Sequence, residues 1–228
     1  MLRFHFITIF PDMIAAYAGE ALIARAAKNK LIEVSAYNPR DFLKGKAKHA
    51  YRAVDDRPYG GGPGMVFMAD PVVRATEQAL KGAVKSKRRT KVIMLSPQGK
   101  QFDNAYATKI SKRYDDVVFI AGRYEGVDAR VKKIFKAEEV SGGPYVVTGG
   151  ELPALMMMDA ITRQIPGVLG KIESLEESRA ASPEVYTRPE VYEYKGKKYR
   201  VPKVLLGGDH KKIEAWRVSK IKKGGEGT

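Results

Sequence analysis

The order of hydrophobic and polar positions predicts alternating strands and helices along most of the chain. Residues Leu2–Phe10 begin with alternating apolar and polar side chains, Pro11–Lys30 has helical spacing, and Leu31–Tyr37 contains a second strand. Further strands are predicted at Val92–Leu95, Asp116–Ala121, Glu138–Val140 and Tyr145–Thr148, and helices at Pro71–Leu80, Asn104–Lys112, Ala129–Phe135 and Leu152–Arg163. This order predicts an α/β fold, with a mostly parallel sheet and helices on both faces.

Three glycine-containing loops each follow one of the later strands. They read LSPQGKQF over residues 95–102, AGRYEGVDAR over residues 121–130, and SGGPYVVTGGELPA over residues 141–154. Ligands of open α/β sheets sit beyond the carboxyl ends of the strands, so these loops are candidates for the walls of one pocket. Paired glycines favour this interpretation because they permit positive φ and a close backbone approach. Ordinary turns around an edge strand are the alternative.

A long segment between the second strand and the next helix, Arg40–Met68, has no regular pattern. It contains DDRPYGGGPGM over residues 55–65, in which three consecutive glycines and two prolines exclude regular structure. Its apolar residues are too dense for a low-complexity disordered tract. We therefore interpret it as a functional loop.

Composition limits the class of protein and points to a polyanionic partner. The 228 residues are 44% hydrophobic and include no apolar run long enough to cross a membrane. The first residues lack a signal-peptide pattern, so we expect a cytoplasmic protein. A net charge of +15, from 41 basic and 26 acidic residues, favours nucleic acid as the partner, although a merely basic surface is the alternative. With no cysteine and 3 histidines, a structural zinc site is not expected.

The composition of the chain becomes more polar and charged after Pro166–Gly167, which suggests a second domain. We expect a first domain over residues 1–165, a linker over 166–183, and a small basic domain over 184–228. Basic residues and tyrosines interleave in the last part, which suits nucleic acid; a tyrosine-rich hairpin around Lys195–Gly196 is the alternative. The candidate RNA contacts are Lys195, Lys197, Lys198 and Arg200. The cationic turn Lys85–Lys91 is equally consistent with an RNA contact and with a solvated loop.

Six motifs, together and in order, resemble the bacterial tRNA (guanine-N1)-methyltransferases of the SPOUT class. They are DDRPYGGGPGM, LSPQG, GRYEGVDARV, YVVTGGELPA, an R-x-IPGVLG segment and YTRPEV, and they span nearly the whole chain. The resemblance implies a deep trefoil knot near the end of the first domain and S-adenosylmethionine as cofactor. It also implies methyl transfer to N1 of the guanosine at tRNA position 37, and a homodimer whose subunits share the active sites. A magnesium requirement is left open.

The resemblance also implies roles for individual residues. The expected cofactor contacts are Leu95, Ser96, Pro97, Gly99, Gly122, Arg123, Tyr124, Glu125, Gly126, Gly143, Tyr145, Val147, Gly149, Gly150 and Pro153. The expected substrate contacts are Asp55, Arg57, Gly64 and Ser174. Glu177 is expected to be the general base, with Arg163 as a second catalytic residue.

Two features depart from the family pattern. The family usually has an aspartate as base, whereas this chain has Glu177 in a segment about one residue shorter, so the adjacent Glu176 is an alternative for the base. We also expect a shortened C-terminal domain without the basic helical end common in the family, which affects tRNA affinity more than chemistry.

Competing functions are distinguished by chemistry and motif. An RNA-binding protein without activity would have the same charge but would neither bind S-adenosylmethionine nor transfer its methyl group. Another SPOUT enzyme, acting on ribose or ribosomal RNA, is disfavoured by DDRPYGGGPGM and YTRPEV. A nucleotide-dependent enzyme is disfavoured because neither GxxxxGK[ST] nor GxGxxG occurs.

Overall fold

The computed structural model describes residues 1–43, 53–169 and 184–224, and the chain forms two compact units, Met1–Gly170 and Lys171–Thr228. The strands of the described residues are β1 (Leu2–Ile7), β2 (Ile32–Tyr37), β3 (Asp55–Asp56), β4 (Val66–Phe67), β5 (Thr90–Gln101), β6 (Asp116–Ile120), β7 (Glu138–Ser141), β8 (Val191–Tyr194) and β9 (Lys197–Arg200). The helices are α1 (Pro11–Ala18), α2 (Ala21–Lys28), α3 (Ala69–Lys85), α4 (Asn104–Arg113), α5 (Ala129–Phe135), α6 (Glu151–Arg163) and α7 (His210–Gly224).

A five-stranded sheet forms the centre of the first unit. Its strand order is β2-β1-β6-β5-β7, and every neighbouring pair in it is parallel. All of its carboxyl ends therefore lie at one edge, which is where the glycine-containing loops emerge. The predicted α/β class with a mostly parallel sheet is confirmed.

Alternation along the strands sends apolar side chains to both faces of this sheet. Phe4 and Phe119 pack in one core with residues of α1, α2, α4 and α6. Val118 and Ile120 point the other way and pack in a second core with residues of α3 and α5. The strands are therefore buried on both faces, as expected when helices cover a parallel sheet on each side.

Two predicted elements are wrong in detail. The single helix expected over Pro11–Lys30 is interrupted after Gly19, and Ala21 has a φ of 47°, which continuous α-helix does not allow. The strand expected at Tyr145–Thr148 is an exposed loop, and only the neighbouring Gly149 makes an isolated bridge. Local β propensity there is not matched by a neighbouring strand that could supply hydrogen bonds.

The second unit contains a hairpin and a helix. Strands β8 and β9 pair antiparallel, and α7 follows a short 3-10 turn at Lys203–Leu205. Lys220 Nζ on α7 donates to Glu184 Oε1 at 2.7 Å, and the Trp216 ring lies 6.3 Å from that of Tyr186. These contacts tie the first described residues of this unit to its helix.

Candidate active site

The three loops beyond the sheet converge on one cavity of about 450 Å³ in the first unit. This volume lies within the range of small-molecule sites, about 300–1,000 Å³. Its walls combine backbone atoms of the glycine-containing segments with a few side chains. The lining residues are Met94, Leu95, Ser96, Pro97, Gln98, Gly122, Arg123, Tyr124, Glu125, Gly126, Val127, Glu139, Val140, Ser141, Gly142, Tyr145, Val146, Val147, Thr148, Gly149, Gly150 and Pro153.

The first loop is an excursion within β5. Leu95 and Lys100 both pair with Val140 of β7, so the residues between them leave the ladder and turn toward the cavity. Gly99 makes this possible, because a Cβ atom there would lie 2.5 Å from the Glu139 carbonyl carbon. The excursion therefore depends on a close backbone approach that only glycine permits.

The second and third loops are joined by backbone contacts. Gly149 bridges Arg123, and the Gly150 amide donates to the Gly122 carbonyl at 2.9 Å. A Cβ atom on Gly150 would lie 2.8 Å from the Ala121 Cα atom. Neither glycine of this pair has positive φ, so close approach is the reason for glycine here.

A buried carboxylate anchors this junction. Glu151, the first residue of α6, is only 1% exposed. Its Oε1 accepts from Thr8 Oγ1 at 2.9 Å, and its Oε2 accepts from Arg123 Nε at 3.2 Å. The Arg123 guanidinium carbon lies 4.4 Å from the centre of the Phe10 ring. One side chain thus links the end of β1, the second loop and the start of α6.

Sequence reasoning missed this role for Glu151. Its position at the start of a helix shows only an acid where the positive end of the helix dipole favours negative charge. The buried partners are distant in sequence, so no local pattern marks them. The same reasoning also missed cavity-lining residues such as Met94, Gln98, Glu139 and Val146.

The DDRPYGGGPGM segment packs against the second loop. The expectation that residues 55–65 contain no regular structure is wrong at one end, because β3 pairs antiparallel with β4 directly after the segment. The Glu125 amide donates to the Met65 carbonyl at 3.0 Å. Gly64 has a φ of 78°, and a Cβ atom there would lie 2.5 Å from Glu125 Oε1. This segment is therefore held beside the cavity, although the predicted substrate contacts Asp55, Arg57 and Gly64 do not line it.

The structure brings most of the predicted cofactor residues together. All of them line the cavity except Gly99 and Gly143. The predicted catalytic Arg163 is the last residue of α6, about 15 Å along the helix axis from Pro153, and does not line the cavity. Ser174 and Glu177 lie outside the described residues.

The cationic turn before β5 is engaged with carboxylates. Arg88 Nε donates to the buried Asp116 at 2.6 Å, and Arg89 Nη2 donates to Asp115 Oδ1 at 2.9 Å. The hydrogen bonds from Arg89 lower the pKa of Asp115 to about 2. These pairs offset part of the positive charge of the turn, which weakens the case for an RNA contact there.

Neither a metal cluster nor a membrane span was found in the part of the chain that the structure describes. No three His, Asp or Glu side chains in residues 1–43, 53–169 and 184–224 are grouped so that they could hold a metal ion. In the same residues, no helix has the length and hydropathy of a membrane span.

Comparison with known proteins gives a consistent match over nearly the whole chain. A model of the tRNA (guanine-1)-methyltransferase family matches residues 2–225. A tRNA (guanine-N(1)-)-methyltransferase of Psychromonas ingrahamii is 46% identical over 92% of this chain and 83% of its own length. One from Campylobacter jejuni is 38% identical over 96% of this chain and 91% of its own. The crystal structure of a tRNA (m1G37) methyltransferase from Aquifex aeolicus has a TM-score of 0.75 and 37% identity, covering 95% of this chain and 87% of that one.

Proposed function

The chain belongs to the tRNA (guanine-1)-methyltransferase family, and from this premise we propose that it methylates N1 of the guanosine at tRNA position 37, with S-adenosylmethionine as methyl donor. The observation that carries the proposal is the cavity at the carboxyl edge of the sheet. It is formed by the same three loops whose motifs carry the family resemblance. An RNA-binding protein without activity would not bind S-adenosylmethionine, so binding of this cofactor distinguishes the two functions.

The residues of the cavity fit this cofactor. S-adenosylmethionine supplies an activated methyl group when bound. The glycines that let the three loops approach one another closely leave backbone amides and carbonyls to line the pocket, and such groups can hold a polar ligand. Leu95 and Pro97 add apolar wall, and Arg123 and Glu125 add charge.

The two proposed catalytic residues act on the proton of guanine N1 and on the charge that its removal leaves. N1 carries a proton at neutral pH, so its lone pair becomes available only as that proton leaves. We assign this proton to the carboxylate of Glu177, and a positioned base contributes about 10²–10⁴-fold in rate. Negative charge then develops toward O6, where hydrogen bonds from the Arg163 guanidinium would stabilise it.

A homodimer would complete the site. The start of α6 lines the cavity, whereas Arg163 lies at the other end of the same helix. A site that uses both the cavity and Arg163 is therefore more easily built between two subunits. Leu152 and Met156, one turn apart on α6, are 54% and 49% exposed, which supports an apolar interface along this helix. In this proposal the linker, residues 166–183, closes the pocket of one subunit against α6 of the other.

The remaining parts of the proposal follow the family. Residues 1–165 would form the knotted cofactor domain and 184–228 a small tRNA-binding domain. The net charge of +15 supports binding to the phosphate backbone, and such binding weakens as salt rises. We expect the enzyme to act in the cytoplasm and leave a magnesium requirement to titration with EDTA.

Methylation assays test the function directly. Among tRNA transcripts that differ only at position 37, those with guanosine at that position should be methylated and the others should not. In single turnover with saturating tRNA and cofactor, Glu177→Gln should lose roughly 10²-fold or more in rate while cofactor affinity is kept. If the rate falls in Glu176→Gln instead, the general base is Glu176 and not Glu177. Full activity in both variants would refute the carboxylate base.

A further inference from the structure

One face of the β8–β9 hairpin carries exposed tyrosines beside a lysine. The antiparallel register pairs Tyr192 with Tyr199 and Tyr194 with Lys197. Because side chains alternate along a strand, these residues share one face, which we call the tyrosine face. Tyr192, Tyr194 and Tyr199 are 60%, 53% and 50% exposed. The rings therefore leave much of their surface free for a partner.

The turn of this hairpin holds the tyrosine face in a defined register. Lys195 and Gly196 have φ values of 47° and 75°, the two positive angles that a type I′ turn requires. This turn matches the twist of the paired strands. The three rings are therefore presented by a tight hairpin and not by an open loop.

Cations accompany the rings. Lys195 Nζ lies 5.4 Å from the centre of the Tyr194 ring, and Lys197 Nζ lies 5.4 Å from that of Tyr199. The charged residues of the hairpin are Lys195, Lys197, Lys198 and Arg200 against Glu193 alone. The charge favours a polyanion, and the rings favour one with accessible planar groups.

We propose that the tyrosine face stacks on unpaired nucleobases of the tRNA, while the adjacent lysines meet the phosphates of the same nucleotides. Proteins bind single-stranded RNA through this combination of ring stacking and cationic contact. Base faces inside a duplex are covered by neighbouring bases and cannot stack on a tyrosine. The opposite face of the hairpin carries Glu193 beside Lys198, with 4.0 Å between their charged atoms, and no ring, so it would contact phosphates only. The identity of the RNA rests on the proposed function.

The test compares ring, bulk and charge in the full-length protein. A triple variant, Tyr192→Leu with Tyr194→Leu and Tyr199→Leu, keeps apolar bulk without rings, and the matching triple phenylalanine variant keeps the rings. Affinity is measured over a salt series for an anticodon stem-loop RNA and for a fully paired duplex of equal length. For the stem-loop, the leucine variant should bind about 5–150-fold more weakly, the loss expected for one lost base stack. The phenylalanine variant should bind like wild type.

Salt dependence separates stacking from charge. The slope of the logarithm of affinity against the logarithm of salt concentration should be unchanged in the leucine variant. Lys197→Gln, on the tyrosine face, should lower it by roughly 0.7–0.9, the value for one phosphate contact. Tyr194→Leu alone, with the other two rings in place, repeats the test if the triple variant fails to fold. Unchanged stem-loop affinity in the leucine variants, or an equal loss on the duplex, overturns the proposal.

The methyl-transfer assay keeps this proposal separate from the proposed function. If wild type transfers no methyl group to any position-37 guanosine, the function fails, and a selective loss of stem-loop binding in the leucine variant still supports the tyrosine face. If methylation proceeds at saturating RNA and the leucine variant binds like wild type, the function stands and the tyrosine face is refuted.

Discussion

Replacing Glu151 by glutamine should weaken both the fold and the cofactor pocket. Glutamine has the shape of glutamate but no charge. Its amide group can accept hydrogen bonds only through its single oxygen, because the other end is an NH₂ donor. The carboxylate now accepts from Thr8 and from Arg123, whose Nε is 3.2 Å away. Since Arg123 Nε can only donate, glutamine can keep that bond only by turning its amide NH₂ group toward Thr8.

The size of the effect follows from this loss of charge. Hydrogen bonds to charged groups contribute about 1.5–3 kcal/mol, against about 0.5–1.5 kcal/mol for neutral ones, so two weakened bonds predict a loss of about 2 kcal/mol. The Arg123 side chain is 26% exposed, so hydrogen bonds from Arg123 to water offset part of this loss of stability. For a chain of this size, about 2 kcal/mol lowers Tm by about 4–8 °C.

A surface pair provides the matched control. Arg3 Nε lies 3.2 Å from Glu33 Oε2, the same distance as in the buried pair, but the Glu33 side chain is 52% exposed. Glu33→Gln should change stability by less than about 1 kcal/mol, as is usual for exposed pairs. The Tm of both variants is measured by calorimetric unfolding. Titration with S-adenosylmethionine should show weaker binding only for Glu151→Gln. Equal Tm and equal cofactor affinity for Glu151→Gln and wild type would refute the anchoring role.

The glycines around the cavity, the exposed face of α6 and the ion pair at Asp115 can each be tested by substitution. Gly149→Val should abolish S-adenosylmethionine binding by calorimetry, because its Cβ would lie 2.5 Å from Glu151 Oε2, whereas Gly207→Ala, with open space around it, should not. Leu152→Glu combined with Met156→Glu should yield monomers in analytical ultracentrifugation at micromolar concentration; a variant that stays dimeric excludes this interface. Because the pKa of Asp115 is lowered to about 2, its contribution to stability should be lost as pH falls from about 4 to 2. Asp115→Asn should remove that part of the acid dependence of Tm, and identical pH profiles would contradict it.

The sequence by itself determined the class of fold and the location of the site. Strand and helix patterns arise from periods of a few residues, so Leu2–Phe6 and Asn104–Lys112 could be recognised without knowledge of any neighbour. The loops after β5, β6 and β7 could also be placed at one edge, because parallel strands all end on the same side of the sheet. Tyr145–Thr148 forms a loop instead of the expected strand, because strand formation needs a partner strand, which local propensity does not report.

Only the tertiary structure decided which side chains hold the site together. Glu151 meets Thr8 from 143 positions away and Arg123 from 28 positions away, and no local pattern encodes such pairings. Folding likewise brings Arg88 and Arg89 against Asp116 and Asp115, so a turn for which the sequence left an RNA contact and a solvated loop both open contains two ion pairs. Buried polar groups are satisfied by whichever partner the packed chain brings within hydrogen-bond distance, and that choice exists only once the sheet and its helices have assembled.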